Sequence, residues 1–589
     1  MEKRIMLGNE AIARGAYEAG VRVGSAYPGT PSTETFEYLV QYKDDLYCEW
    51  APNEKVALEV ALGASFTGAR AMAVMKHVGL NVAADPLMTS TYTGIKGGLV
   101  IVVADDPGMH SSQNEQDTRH YARFAKIPIL EPANPAEAKE MVKEGFHISE
   151  QFKTPVILRS TTRISHSKGI VELSERIESS QPVKFEKDPA RFVPIPLYAR
   201  PMHEKVEQRF LELQEYNSKS PLNRMEMGSD TDLGIVTSSV AYEYVKVAFP
   251  DTSILKLALS YPFPDSLIQD FCNRFKTILV VEELDPILEE HIKSLGFNNI
   301  HGKDVLPMCG EYNPNLLYKA RQQLEKKNYT IPAAKDFALP PRPPVLCAGC
   351  PHRSVFFELS KHDVIITGDI GCYSLAVFPP LKAMDTILCM GGGFTVAHGM
   401  ERAGNKQKVV GVMGDSTFFH SGITGLVNIS YNHGLSTLIV LDNRITAMTG
   451  HQDHPGTGKT LMGERARELS ITEIAKASGF EFAREINPLD FKELHNTVKA
   501  ALEYDGPSLI VAKKECALLF AHDYSRYYYI DQEQCKKCKV CLKFGCPAIE
   551  KKAHGQDEIS IEINSFVCNS CGLCKNQCPF EAIHFHQEA

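Results

Sequence analysis

Residues Lys408–Gly450 read KVVGVMGDSTFFHSGITGLVNISYNHGLSTLIVLDNRITAMTG. The run Val409–Met413 is apolar throughout, as in a strand covered on both faces. It breaks at Gly414-Asp415-Ser416, a helical pattern follows, and a second apolar run, Thr437–Leu441, breaks at Asp442-Asn443. Strand, helix and strand at this spacing make one unit of a parallel α/β sheet. In such sheets ligands bind beyond the carboxyl ends of the strands, so Asp415 and Asn443 share a rim. Both offer hard oxygens suited to Mg²⁺, which takes a few protein oxygens together with phosphate oxygens. The carbonyl of Ile445 is a third candidate ligand. Gly414 lets the backbone approach a diphosphate, and the helix start after it favours that anion. Ser416 and Thr446 are read as further cofactor contacts. An acidic turn after any strand of this kind is the plain alternative.

Two glycine loops upstream, GDIGCYS from Gly368 and CMGGGFTVAHG from Cys389, follow further strands and line the same rim. Gly368, Asp369, Cys372, Gly391 and Gly392 thereby join the candidate cofactor-binding set. G-D-S, a helix and a strand, then D-N resembles the thiamine diphosphate motif G-D-G…N-N. Ser416 and Asp442 depart from it, and the two Mg²⁺-binding positions are kept. Thiamine chemistry also needs a carboxylate against the aminopyrimidine ring, supplied from a second α/β domain. The N-terminal stretch EWAPNEKVALEVALGASFTGARAMAVMKHVGL offers Glu54 and Glu59 on one helical run. Five residues apart, they face different sides of it.

The tail carries a different chemistry. Half of the sixteen cysteines fall in two runs near its end. Cys535, Cys538, Cys541 and Cys546 precede Pro547, and Cys568, Cys571, Cys574 and Cys578 precede Pro579. The second run has the spacing of a bacterial two-cluster ferredoxin, and the first has one extra residue in its last gap, where Gly545 permits a looser turn. In that pattern the fourth cysteine reaches across to the other cluster. Cys535, Cys538, Cys541 and Cys578 are therefore assigned to one [4Fe–4S] cluster, and Cys568, Cys571, Cys574 and Cys546 to the other. Structural zinc also uses paired C-x-x-C, but two tandem quartets each ending in Cys-Pro favour the clusters. Lys536, Lys537, Lys539 and Lys543 would suit an acidic redox partner, or simply form a solvated face.

The rest of the chain sets bounds. With 589 residues it is too long for one core, and its length corresponds to roughly three to five domains. The net charge of −9 comes without a basic block, so nucleic acid is not an expected partner. No apolar run reaches the ~20 residues that span a bilayer. The N-terminus MEKRIMLGNEAIARGAYEAG is too polar for a signal peptide and reads as an amphipathic helix, so the expected location is the cytoplasm. Clustered C-x-x-C in such a chain reads as metal rather than disulfide. The fold class expected is multidomain α/β. Residues 1–180 form a pyrimidine-binding thiamine domain, 181–232 a linker with a helix, and 233–325 an α/β domain like the transketolase C-terminal one. Residues 326–345 are a stiff Pro-rich linker, 346–525 a diphosphate- and Mg²⁺-binding thiamine domain, and 526–589 the ferredoxin-like domain. HPGTGKT at 454–460 looks like a nucleotide loop, but its first glycine position is Asp453 and no buried strand leads into it.

Over nearly its whole length the chain resembles the 2-oxoacid:ferredoxin oxidoreductases, and among them the alpha-subunit type acting on indolepyruvate. The resemblance rests on AYPGTPSTE, NEKVALEVALGASFTGARAM, SSQNEQDTRHYARFA, LCAGCPHR, GDIGCYS, GDSTFFHSGI, DNRITAMTG and the double cysteine tail. It implies that aryl 2-oxoacids such as indolepyruvate and phenylpyruvate are oxidatively decarboxylated with coenzyme A, and that single electrons leave through the clusters to ferredoxin, in an anaerobic or microaerobic host. It selects Glu54, nine residues before Gly63-Ala64, as the thiamine-activating carboxylate. Thr30 in the loop Tyr27–Ser32 is the implied substrate contact, and Arg119 a candidate for the substrate carboxylate or a mere surface charge. A third cluster near thiamine would use Cys347, Cys350 and Cys372, with Cys516 as fourth ligand by chain position; four unmetallated thiols are the alternative. The gamma-type module of single-chain relatives has no counterpart here, which implies a separate beta subunit in a heterotetramer. The competing readings are a pyruvate or other 2-oxoacid oxidoreductase of the same class, and an electron-transfer scaffold without thiamine chemistry.

Overall fold

The computed structural model describes residues 2–177, 183–327, 329, 340, 343–554 and 558–587. The chain forms two compact units, Met1–Phe337 and Ala338–Ala589. Most of the linker expected at 326–345 lies outside the described residues. No helix among the described residues is long and apolar enough to cross a membrane.

In the first unit a seven-stranded sheet runs in the order Leu259–Tyr261, Ile129–Leu130, Val156–Thr161, Leu99–Asp105, Ala71–Lys76, Val23–Ala26 and Tyr47–Trp50. Its middle strands pair in parallel and are buried along their whole length. That is what unbroken apolar runs such as Leu99–Ala104 require, since helices cover both faces. The edge strand Leu259–Tyr261 is antiparallel and arrives from the second α/β module of the unit. That module has its own sheet, centred on Leu233–Thr237, Ser253–Lys256 and Thr277–Val281. One hydrophobic core holds residues of both, from Leu58 and Val103 to Val236 and Ile278. The segment between them is a strut rather than a free tether. Its helix Pro196–Ser218 buries Met202, Val206 and Leu213, and Asn217 Nδ2 donates to the carbonyls of Leu259 at 2.8 Å and Pro262 at 2.6 Å. At the N-terminus, Lys3–Leu7 is a strand paired with Lys168–Glu172, and the expected helix begins at Gly8.

In the second unit six strands pair in parallel in the order Thr386–Ile387, Val364–Gly368, Lys408–Gly414, Thr437–Asp442, Ser508–Lys513 and Phe482–Ile486. From Val364–Gly368 the chain passes to one neighbour and then returns to the other side at Lys408–Gly414. The order of winding reverses between these two strands, and a crevice opens at their carboxyl ends. The cysteine tail adds two antiparallel ribbons, Arg526–Ile530 with Ile583–Gln587 and Ile549–His554 with Glu558–Ile563.

Candidate active site and cluster-binding cysteines

Gly414 ends its strand in extended conformation and the chain turns into a helix at Asp415. Asp415 is 2 % exposed. Its Oδ1 accepts from Ser416 N at 2.8 Å and its Oδ2 from Arg444 N at 2.8 Å. The next strand ends at Asp442, and the Asn443 side-chain oxygen stands 3.3 Å from Asp415 Oδ1 and 2.7 Å from the Ile445 carbonyl oxygen. Turned over, this amide would donate to both. The same spacing also suits oxygens bound side by side on Mg²⁺, which lie ~3 Å apart, given bonds of 2.0–2.1 Å. Burial and Asp415 push Asp442 up to about 7, the mark of two carboxylates crowded together. The structure thus brings the Asn443 amide between Asp415 and the Ile445 carbonyl, a cradle whose oxygens fit a divalent cation.

The glycine loops close around this cradle. Asp369 is fully buried, accepts from Gly391 N at 2.9 Å and from the Tyr373 hydroxyl, and is pushed by burial to about 8. It knits the two loops together. Gly391 has φ +85°, and a Cβ there would meet the Ser421 Cβ at 2.7 Å, so only glycine fits before the helix Gly392–Arg402. A Cβ on Gly368 would meet Met384 Sδ at 2.4 Å. Thr446 Oγ1 donates to Ser416 Oγ at 2.9 Å, pinning the two turns to each other. His454 Nε2 lies 3.0 Å from Asp415 Oδ2. It belongs to the segment that imitates a nucleotide loop, and nothing in its spacing announced this contact. Tyr373 and His352 are buried beside the same loops, with their rings 6.0 Å apart edge to face.

Three groups of thiols assemble in this unit. One cavity is lined by Cys535, Cys538, Cys541 and Cys578, and another by Cys546, Cys568, Cys571 and Cys574. The crossed sharing of the fourth cysteine is thus seen in the fold. Burial, with Cys535 and Cys538 adding, pushes Cys541 up to about 11, and a metal ligand must shed that proton on binding. The third group is Cys347, Cys350, Cys372 and Cys516. Burial raises Cys372 to about 11, with Cys347 and Cys516 adding; burial raises Cys350 to about 12, with Cys347 and Cys372 adding. The four come from three separate segments, with Cys347 in electrostatic reach of the other three. Cys516 N donates to the Asn443 carbonyl at 3.0 Å, so this group abuts the oxygen cradle. Gly349, inside the C-x-x-C, also lines the cavity of Cys546 and its partners. Buried Arg353 clamps the junction, donating to Leu346 O at 2.5 Å and Gly545 O at 2.6 Å.

In the first unit, Glu54 opens the helix Glu54–Phe66, whose start is capped by Asn53 accepting from Val56 N at 2.9 Å. Glu54 is buried, and a Cβ on Gly79 would come within 2.5 Å of its Oε1. Glu59 is exposed and pairs with Lys55 on the outer face. Thr30 sits half-buried in the loop after the strand Val23–Ala26, where its carbonyl accepts from Ser111 Oγ at 3.2 Å.

Residues 14–220 match the family model "Pyruvate flavodoxin/ferredoxin oxidoreductase, thiamine diP-bdg". Residues 369–512 match "Thiamine pyrophosphate enzyme, C-terminal TPP binding domain", and 527–579 match "4Fe-4S dicluster domain". The chain is 42 % identical to indolepyruvate oxidoreductase subunit IorA of Methanothermobacter thermautotrophicus, covering 99 % of this chain and 97 % of that one. It is 42 % identical to the IorA of Pyrococcus horikoshii over 99 % and 96 %, and 40 % identical to that of Archaeoglobus fulgidus over 99 % and 97 %. The chain belongs to the IorA family of indolepyruvate oxidoreductase subunits.

One expected site residue of this IorA-family chain falls elsewhere. Arg119 is 2 % exposed and already committed. Its Nη2 donates to Asp117 Oδ2 at 2.6 Å and to the carbonyls of Glu283 and Asp285 at 3.0 Å, and its Nη1 to Glu282 Oε2 at 2.5 Å. With two carboxylates already neutralising it, this guanidinium is not placed to receive a substrate carboxylate. It joins the two α/β modules of the first unit instead. The motif that contains it identified the family, while the arginine's role depends on Glu282, far away in sequence.

Proposed function

We propose that this chain is the thiamine-binding and electron-delivering subunit of an indolepyruvate:ferredoxin oxidoreductase, converting aryl 2-oxoacids and coenzyme A to aryl-acetyl-CoA and CO₂ while reducing ferredoxin. The observation that carries this reading is the oxygen cradle of Asp415, Asn443 and Ile445 lying against one cysteine group that in turn adjoins another. When bound, thiamine diphosphate supplies the electron sink that lets a 2-oxoacid lose CO₂. Asp415, Asn443 and the Ile445 carbonyl would hold its Mg²⁺, and the backbone at Gly414 and Gly391-Gly392 would take the diphosphate. Glu54 is the carboxylate for the aminopyrimidine, and Thr30 lies by the substrate. Cys347, Cys350, Cys372 and Cys516 would hold a cluster nearest the chemistry. The group with Cys546 and then that with Cys541 would lead electrons outward to ferredoxin. A separate beta subunit would complete a heterotetramer in the cytoplasm.

The deciding experiment is anaerobic viologen reduction by the complex with its partner subunit, offered indolepyruvate, phenylpyruvate, pyruvate and 2-oxoglutarate with and without coenzyme A. Preference for the aryl substrates with coenzyme A dependence is expected. Preference for pyruvate would replace the substrate, and no reduction with any of them would leave an electron-transfer scaffold. After full reconstitution, about twelve iron atoms per chain are expected for three cubanes, whereas about eight would remove the third.

A further inference from the structure

With Arg119 committed elsewhere, the rim of the first unit holds a different cation. Lys76 is the last residue of the strand Ala71–Lys76 and only 7 % exposed. Its side chain runs beneath the Thr30 loop, where a Cβ on Gly29 would stand 2.9 Å from Lys76 Cβ. Three residues on, Gly79 packs on Glu54. Thr30, Lys76 and Glu54 thus share one rim. Lys76 Nζ donates to Ser111 O at 2.7 Å and Ser111 Oγ at 3.3 Å. An ammonium has three N–H bonds, and the third finds no acceptor among the described residues. No carboxylate among them lies within 4.0 Å of Nζ. Asp106, which attracts the ammonium from further off, is taken by Ser111 N at 2.8 Å, Ser112 Oγ at 2.5 Å and Thr162 Oγ1 at 2.6 Å.

We infer that Lys76 binds the carboxylate of the 2-oxoacid substrate. The inference rests on the 2-oxoacid reading above. A buried ammonium without an ion pair is costly to hold, and burial has already lowered its pKa to about 8. A carboxylate arriving there restores the charged form and meets a desolvated donor, where a charge-assisted bond is strong. One N–H to spare suits a monoanion. The diphosphate has its own cradle of backbone and cation at the rim of the second unit.

The test uses the complex with its partner subunit, and the variants Lys76→Met and Lys76→Arg. The probes are an aryl 2-oxoacid as substrate, and an arylpropionate and its neutral amide as competitive inhibitors. In the Met variant, KM for the 2-oxoacid and Ki for the acid should rise roughly ten- to a hundredfold, the cost of a hydrogen bond to a charged group. Ki for the amide should stay within about twofold, as nothing charged is lost with it. Thiamine diphosphate affinity, read from the fluorescence of the single tryptophan, Trp50, should not change. The Arg variant should keep part of the acid-over-amide preference; if the Met variant does not fold, this ratio alone decides. Equal losses for acid and amide, an unchanged KM for the 2-oxoacid, or a parallel loss of thiamine affinity would each overturn the assignment. If none of the 2-oxoacids lets the unsubstituted complex reduce viologen, the functional reading falls and takes this inference with it. A failure confined to the Lys76 variants leaves that reading standing.

Discussion

The rims of the two units present opposite charge problems. In the second, the Asn443 side-chain oxygen lies within 3.3 Å of both the Asp415 Oδ1 and the Ile445 carbonyl oxygen, with buried Asp442 close by. In the first, the buried Lys76 ammonium meets the serine hydroxyl and carbonyl oxygens of Ser111, and no carboxylate among the described residues lies within 4.0 Å. Like charges or like dipoles kept together in a protein interior need an outside partner to offset them. The oxygen-rich rim suits a divalent cation and the lysine rim an organic anion. Arg119 marks the contrast within the first unit. It is more deeply buried than Lys76, but Asp117 and Glu282 satisfy it internally, so it has stability to give and no ligand to take.

Substitutions can break or sharpen this contrast. The largest effect is expected from Asp415→Ala, which should bring cofactor-dependent turnover to background while the visible absorbance of the tail clusters persists. Loss of that absorbance would mean that the cradle and the clusters fold as one piece. Next, Glu54→Gln should slow turnover by roughly two orders of magnitude or more, the usual worth of a positioned proton-handling group. Glu59→Gln, on the exposed face, should leave it within about twofold. Equal effects at both would undo the choice between them. Arg119→Met should cost about 3–5 kcal/mol of stability, since it strands two buried carboxylates, and should show as a lowered Tm. In molecules that remain folded, the acid-over-amide preference should be intact. A lost preference at Arg119 would return the substrate carboxylate to that residue and away from Lys76.

Much of the site could be read because its chemistry is local in sequence. Cys568, Cys571, Cys574 and Cys578 sit at ligand spacing on one stretch of chain, and even the exchange of Cys546 and Cys578 between groups follows from that spacing. Asp415 and Asn443 end adjacent parallel strands, and the strand–helix–strand pattern alone puts them on one rim. The Glu54–Glu59 choice came from resemblance, and burial on one helix face supports it. The sequence reading did not reach His454 against Asp415, Asp369 between Tyr373 and Gly391, or Arg353 across the cysteine junction. The bonds from His454 to Asp415, from Gly391 to Asp369 and from Arg353 to Gly545 each join segments that share no motif.

The chain's own order of residues therefore determined the parallel α/β architecture, the shared rim of Asp415 and Asn443 and the cysteine quartets, because periodicity and short ligand spacing act over one or two elements. Only the tertiary structure decided which buried cation is spoken for and which is available. The state of a charge depends on the partners that folding brings to it: Glu282 reaches Arg119 from the second module of the same unit, whereas Asp106, which attracts Lys76 from further off, is bound by Ser111, Ser112 and Thr162.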